Sequence, residues 1–425
     1  MRLLHTGDWH VGKSLRGRSR LDEQAAVLGE LVAVAEASDV GLVLVAGDLF
    51  DAPSPPPEAE RLVYRTLLDL ASGGRQVVVV AGNHDGPGRL AAVAPLAARA
   101  EVVVAAGVRP PAEGGVLHLD IGGEAVRLAL LPWMSPRYVV DAAALLDLDA
   151  DQHQQAFAVR VARVVEALCA DFEAGTVNLL LAHLHAAGGT LGGGERLAHT
   201  VLDYAVSAVA FPAACQYAAL GHLHRCQRIG GPCPVWYSGS PLALDFGETE
   251  DPKGALVVDV AAGRPAVVEP VPLTAGRRLR TVVGSVAELR ALAGTTGTDL
   301  LRVFVEEPGR AGLADEVRDL FPEALDVRLG TGPLSRRAGV LDGAGPGNGA
   351  GVAPGGGAAG NGGAGSAAAD GDRRTHRSPQ ELFAGYLAER HVQDPRLERL
   401  FAELLEDATA TSVPAEEPAD GPDAS

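Results

Sequence analysis

Three short apolar runs near the start of the chain each stop at a glycine followed by residues that can ligate a metal. The run at Leu3-Leu4 stops at Gly7-Asp8-Trp9-His10, the run Val40 to Ala46 at Gly47-Asp48, and the run Gln76 to Ala81 at Gly82-Asn83-His84-Asp85. Unbroken Val/Leu runs of this length, without polar alternation, are strands covered on both faces, as in a parallel sheet. Between them, Leu21 to Ala37 has the apolar spacing of an amphipathic helix, and a second helix follows the prolines at 53–57 and runs to about Leu70. Right-handed strand–helix–strand crossovers bring successive strand ends to one edge of one sheet, which is where open α/β sheets hold ligands. Side chains that alternate with period two would then present Asp8 and His10 on the same side.

The pattern recurs downstream. Glu101 to Trp133 reads as short strands of a second sheet, followed by a long helix over roughly Gln152 to Ala174. Val177 to Ala182 stops at His183-Leu184-His185, and Tyr217 to Leu220 stops at Gly221-His222-Leu223-His224. The loop from Gly188 to Gly194 is expected to be mobile because of its glycine content. A hairpin leads to Tyr237-Ser238-Gly239-Ser240-Pro241, and strands near 255–260 and 266–271 close a first domain at 1–275. A small α/β unit is expected at 276–335, with a capping box at Ser285 and Glu288. Residues 336–376 are nearly all Gly, Ala, Pro and Asn in their central part, the composition of a flexible linker. A pair of amphipathic helices at 377–408 begins at a second capping box, Ser378-Pro379-Gln380-Glu381, and carries Leu382, Phe383, Tyr386, Leu397, Phe401 and Leu404. Such a pair on a tether suits docking on a partner protein, and the tail at 409–425 is expected to be disordered.

A single histidine from this set would more often be a satisfied polar group than a ligand. Together, Asp8, His10, Asp48, Asn83, His183, His222 and His224 all fall at ends of predicted strands. His183 is preferred over His185 because it lies nearer its strand end. So many nitrogen and oxygen donors exceed one tetrahedral zinc site and suit two cations about 3.5–4 Å apart that share a carboxylate. Imidazole, carboxylate and amide donors favour manganese or iron over a thiolate-seeking metal, and Mn2+ is the expected ion. Two such ions activate water and neutralise charge on a phosphoester in its transition state. The leaving alcohol needs a proton, for which His84 is the candidate acid, with Asp85 orienting it. Lys13, Arg16, Arg18 and Arg20 form a basic loop beside the rim; it is either a solvated charge run or a phosphate contact.

The net charge of −18 excludes a general basic nucleic-acid coat but not a local groove. Cys169, Cys215, Cys226 and Cys233 have no Cys-x-x-Cys spacing and read as free thiols. There is no secretory signal and no apolar run of membrane-spanning length, so a cytoplasmic location is expected.

The series Asp8-x-His10, Gly47-Asp48, Gly82-Asn83-His84-Asp85, His183 and Gly221-His222-x-His224 resembles the signature of the calcineurin-like metallophosphoesterases. His5-Thr6-Gly7-Asp8-Trp9-His10, Ala46 to Asp51, Ala219 to Arg225 and Tyr237 to Pro241 resemble, more narrowly, the SbcD family of bacterial nuclease subunits. The resemblance implies a metallophosphoesterase β-sandwich flanked by helices, plus a small α/β capping domain and C-terminal partner-binding helices. It implies one metal on Asp8, His10 and His224, another on Asn83, His183 and His222, Asp48 between them, and His84 as general acid. It further implies a DNA exonuclease and endonuclease that works in repair and recombination as a dimer. The C-terminal helices would then bind an SbcC-type ABC ATPase, the unit at 276–335 would cap DNA, and Ser238 and Ser240 join the basic loop as expected DNA contacts.

Three other readings compete. Gly7 to Ser14 matches the G-x-x-x-x-G-K-[ST] phosphate loop of nucleotide hydrolases, but Asp8 and Trp9 suit no phosphate cradle and no helix clearly begins at Lys13. A metallophosphoesterase can act on another phosphoester, since fold alone does not choose the substrate. A DNA-end binder could also keep metals for structure alone, which the retention of His84 disfavours.

Overall fold

The computed structural model describes residues 1–135, 150–195 and 205–330. The linker, helix pair and tail expected at 336–425 lie outside these residues.

In chain order the strands are β1 (Arg2–Thr6), β2 (Ser14–Leu15), β3 (Arg18–Ser19), β4 (Leu42–Val45), β5 (Gln76–Val80), β6 (Val102–Ala105), β7 (Val116–Ile121), β8 (Glu124–Leu131) and β9 (Val177–His183). They continue as β10 (Tyr217–Gly221), β11 (Gln227–Ile229), β12 (Val235–Tyr237), β13 (Gly254–Ala261), β14 (Arg264–Pro272), β15 (Leu279–Gly284), β16 (Leu300–Val305) and β17 (Ala324–Leu329). The helices are α1 (Leu21–Ala37), α2 (Pro57–Ala71), α3 (Pro87–Ala97), α4 (Ala150–Leu168), α5 (Val286–Leu292) and α6 (Leu313–Leu320).

Two six-stranded sheets face each other, ordered β14-β13-β1-β4-β5-β6 and β11-β12-β10-β9-β8-β7. The central strands β1, β4, β5 and β6 run parallel, as do β8, β9, β10 and β12. Their apolar runs are explained by burial on both sides. Leu3, Leu42, Leu44, Val78 and Val80 meet Leu128, Leu130, Leu179, Leu181 and Tyr217 between the sheets. The alternate residues Leu4, Val43, Val45, Val77 and Val79 pack outward in a core with Leu28 and Leu31 of α1 and Val63 and Leu67 of α2. Phe157, Val161, Val165 and Leu168 of α4 cover the second sheet in the same way. Each fully buried Leu or Val contributes about 1.5–3 kcal/mol.

The single edge anticipated from the first three strands is therefore half of the arrangement. His183 and the 222–224 segment belong to the opposite sheet, so the strand-end residues converge from two layers.

A smaller parallel sheet, β15-β16-β17, carries α5 and α6 on one face. The capping box at Ser285 and Glu288 starts α5. Leu279 and Leu300 at its base pack with Leu15 of the β2–β3 hairpin and with Phe246. All four cysteines are free thiols. Among the described residues, no helix is long and apolar enough to cross a membrane.

Candidate metal centre

Asp8 and His10 reach the site by a different route from strand alternation. Strand β1 ends at Thr6, and both residues have left-handed backbones, with φ of 52° and 46°. Asp48 (φ 51°) and His222 (φ 109°) share this strained region. Such conformations cost roughly 1–3 kcal/mol each in non-glycine residues and persist only where the surroundings over-determine them. Here the 8–11 and 47–50 loops hold each other. The N–H groups of Asp8, His10 and Val11 donate to the carbonyls of Gly47, Asp48 and Leu49 at 2.9–3.0 Å. The two sheets pinch together behind them, so that a Cβ on Gly221 would lie 1.9 Å from the Ala46 carbonyl oxygen.

All seven expected ligands gather at this pinch. Asp8 accepts the N–H of His222 through both carboxylate oxygens at 3.0 and 3.1 Å. Nε2 of His10 lies 3.1 Å from Nε2 of His224. On the other side, Asn83 Oδ1 lies 2.9 Å from both Nε2 of His183 and Nδ1 of His222. Between these two groups stands Asp48, whose Oδ2 is 3.5 Å from His10 Nε2 and 3.6 Å from His183 Nε2. Nδ1 of His183 is hydrogen-bonded to the Ala46 carbonyl at 2.7 Å, which puts its proton on Nδ1 and leaves Nε2 facing the centre. His185 is buried, but its Nδ1 has no hydrogen-bond partner among the described residues.

Asp8, Asp48, His10, His183 and His224 are essentially excluded from solvent. Burial pushes both carboxyls up, with Asp48 adding to the rise at Asp8 and Asp51 to the rise at Asp48, and pushes the His10 imidazole down. Burial also takes His183 down to about 4. His224 moves the other way, raised by Glu248 and Asp8 against the effect of its burial. A divalent cation would stabilise these dehydrated carboxylates and take the place of protons on the imidazoles. Donor atoms of Asp8, His10 and His224, of His10, Asp48 and His84, and of Asp8, Asp48 and His183 lie within 4.8 Å of one another in each group. No thiol takes part, which fits divalent cations that accept imidazole and carboxylate.

His84 also stands at the centre, its ring 4.6 Å from that of His10. Its N–H donates to Asp48 Oδ1 at 2.8 Å, and its Nδ1 is hydrogen-bonded to the Asp51 carbonyl at 2.8 Å. That carbonyl, not Asp85, orients the ring. The Asp85 carboxylate instead accepts the N–H groups of Gly82 and Phe50 at 2.8 and 3.1 Å and ties two loops together. Burial and the nearby Asp48 raise it to about 6.

The expected DNA contacts divide. Lys13 points at the rim, 3.3 Å from Asp51, and Arg16 and Arg18 are part-exposed but face Asp326 and Glu323 of the small unit. Arg20 is buried on Glu23 and on the Ala243 and Arg277 carbonyls, so it braces the joint between the units and is no surface contact. Ser238 and Ser240 are likewise buried and cannot meet DNA as placed. The match to a phosphate loop fails structurally, because Lys13 enters the β2–β3 hairpin and α1 begins only at Leu21.

Two contributors carry no motif. Trp133 stacks on His222 at 5.1 Å between centroids. Glu248, fully buried, is hydrogen-bonded to Nδ1 of His224 at 2.9 Å. Only Glu248's place soon after Tyr237 to Pro241 could have drawn attention to it. The glycine loop is also packed where it nears these residues: a Cβ on Gly194 would lie 1.9 Å from Glu248 Oε1.

Comparison with known proteins gives a consistent picture. Residues 1–226 match the family model described as calcineurin-like phosphoesterase. The SbcD subunit of the nuclease SbcCD from Bacillus subtilis strain 168 is 36% identical over 282 residues, 66% of this chain and 71% of that protein. The SbcD subunit from Escherichia coli K12 is 32% identical over 296 residues, 68% and 73% of the two chains. That of Rhodobacter capsulatus is 35% identical over 285 residues, 62% and 67%.

Proposed function

The chain belongs to the calcineurin-like phosphoesterases and, within them, to the SbcD nuclease subunits, and from that membership we propose how its centre works. It is a metal-dependent hydrolase that cuts DNA phosphodiester bonds as the partner of an SbcC-type ATPase. The observation that carries this reading is Asp48 Oδ2 standing within 3.5 and 3.6 Å of one histidine from each of two ligand groups. Asp8, His10 and His224 would hold one divalent cation, Asn83, His183 and His222 a second, and Asp48 would touch both. Bound there, the cations supply Lewis-acid stabilisation of phosphoryl oxygens and lower the pKa of water.

The protein's own groups supply the rest. His84, held through its N–H and Nδ1, would present its ring to the leaving oxygen as proton donor. Asp85 and the backbone pairs between the two rim loops keep that ring in register with the ligands. Mn2+ fits the nitrogen–oxygen donor set. Exonuclease action on duplex ends, endonuclease action on single strands and hairpins, pairing of two copies, partner binding through the helices expected at 377–408, and a cytoplasmic location complete the proposal.

The test uses the purified chain with Mn2+ on single-stranded DNA, duplex DNA and a small phosphodiester, beside His84→Ala of unchanged metal content. DNA cleavage that is lost in His84→Ala supports both nuclease and acid. Cleavage of the diester alone would return the substrate to another phosphoester. Bound metal without any hydrolysis would favour an end-binding role.

A further inference from the structure

His224 is held at more points than any hydrogen-bonding need of its own requires. Its backbone N–H donates to Glu195 Oε1 at 3.0 Å, and its carbonyl accepts from Lys253 Nζ at 2.9 Å. Its ring Nδ1 meets Glu248 Oε1 at 2.9 Å, and a carboxylate can only accept, so Nδ1 carries a proton and Nε2 is the nitrogen left to meet a cation. That Nε2 faces His10 Nε2 in the Asp8–His10–His224 group.

Glu248 is itself tightly held. It ends the short turn Phe246–Glu248, and its Oε2 receives Lys253 Nζ at 2.7 Å and the Leu244 N–H at 3.0 Å. Lys253 Nζ also donates to Ser240 Oγ at 2.9 Å. Gly194 closes the other side, where any side chain would collide with Glu248 Oε1 and come within 3.1 Å of His224 Nδ1. Packing does not call for this ion pair. Phe246 of the same turn already supplies the apolar contact with Leu15, Leu279 and Leu300. A buried ion pair is weak as a source of stability, since apolar residues of similar volume often serve as well or better.

We propose that Glu248, with Lys253 as its counter-ion, is a positioning residue that fixes the tautomer and direction of His224 for cation binding. The inference rests on the two-cation reading and adds to it a carboxylate–imidazole pair behind His224, where His183 has a backbone carbonyl. In such pairs the outer carboxylate typically contributes roughly 10–100-fold to metal affinity.

The experiment compares full-length wild type, Glu248→Met, and the double variant Glu248→Met with Lys253→Met by Mn2+ titration calorimetry and thermal melting. The double variant removes both buried charges together, so neither is left unpaired and the fold is kept. The expected result is one of two Mn2+ sites weakened roughly 10–100-fold in both variants, with a wild-type-like melting transition in the double variant. Wild-type affinity at both sites in the double variant would overturn the positioning role while leaving the metal reading intact. A wild-type chain that takes up no Mn2+ would overturn the metal reading, and this inference with it.

Discussion

His5 provides a sharp quantitative test of how the two sheets are joined beneath the metal centre. It lies in β1 with no solvent exposure, its Nδ1 2.8 Å from the Tyr217 hydroxyl and its Nε2 3.2 Å from the Leu220 carbonyl, both in the opposite sheet. The carbonyl can only accept, so Nε2 carries the proton and Nδ1 accepts from Tyr217. Burial drives this imidazole from 6.5 down to about 3, against a small opposing effect of the Leu220 carbonyl. The unfolded chain therefore binds a proton near pH 6.5 that the folded chain refuses until about pH 3. Stability is fully present above the unfolded value and falls as the pH drops through that window. At 1.36 kcal/mol per unit, His5 alone accounts for a loss of about 2 kcal/mol by about pH 5 and about 3 kcal/mol by about pH 4. The assay is urea unfolding followed by tryptophan fluorescence, for wild type and His5→Gln, from about pH 7.5 to about pH 4. His5→Gln costs some stability at every pH, but the difference between the two curves cancels every other titrating group. Wild type should lose about 2 kcal/mol more than the variant on going to about pH 5. Parallel curves would refute the claim that a neutral imidazole ties the sheets together.

Three further outcomes follow from the geometry. Replacing His84 by Gln should lower phosphodiester hydrolysis roughly 10²–10⁴-fold in single-turnover assays while Mn2+ stoichiometry by metal analysis stays unchanged; unchanged hydrolysis would remove His84 as the acid. Gly221→Ala places a Cβ 1.9 Å from the Ala46 oxygen and 3.0 Å from His183 Nδ1. It should cost about 1–3 kcal/mol in chemical denaturation and weaken metal binding, because backbone has to move at the pinch. Arg20→Met removes the cation that joins Glu23 to the Ala243 and Arg277 carbonyls, and should raise hydrogen exchange in β15–β17 while leaving exchange in β4 and β5 unchanged.

Local chemistry made much of this protein legible. The apolar runs at 42–45, 76–80, 177–183 and 217–221 have no alternation because both faces are covered, and candidate ligands stand at or just beyond their ends. The capping box at 285–288 follows from residue type and helix α1 from apolar spacing alone. The seven candidate ligands and His84 could be picked out for the same reason: strand ends are local features and their residue types are chemically distinctive.

What lay beyond the sequence depends on contacts between distant segments. Alternation along a strand suggested how Asp8 and His10 share a side, whereas left-handed turns held by the 47–49 carbonyls do it. Nothing local to His84 reveals that the Asp51 carbonyl orients it and that Asp85 serves the loops instead. The basic loop reads identically whether its arginines face solvent or Asp326, Glu323 and buried carbonyls. The glycines at 192–194 signal freedom in sequence, yet Gly194 is required by close approach to Glu248. The sequence by itself determined which residues can bind metal and which segments form strands, because those properties belong to single residues and short periods. Only the tertiary structure decided which carboxylate braces which imidazole, because burial and backbone approach are set by segments tens to hundreds of residues apart.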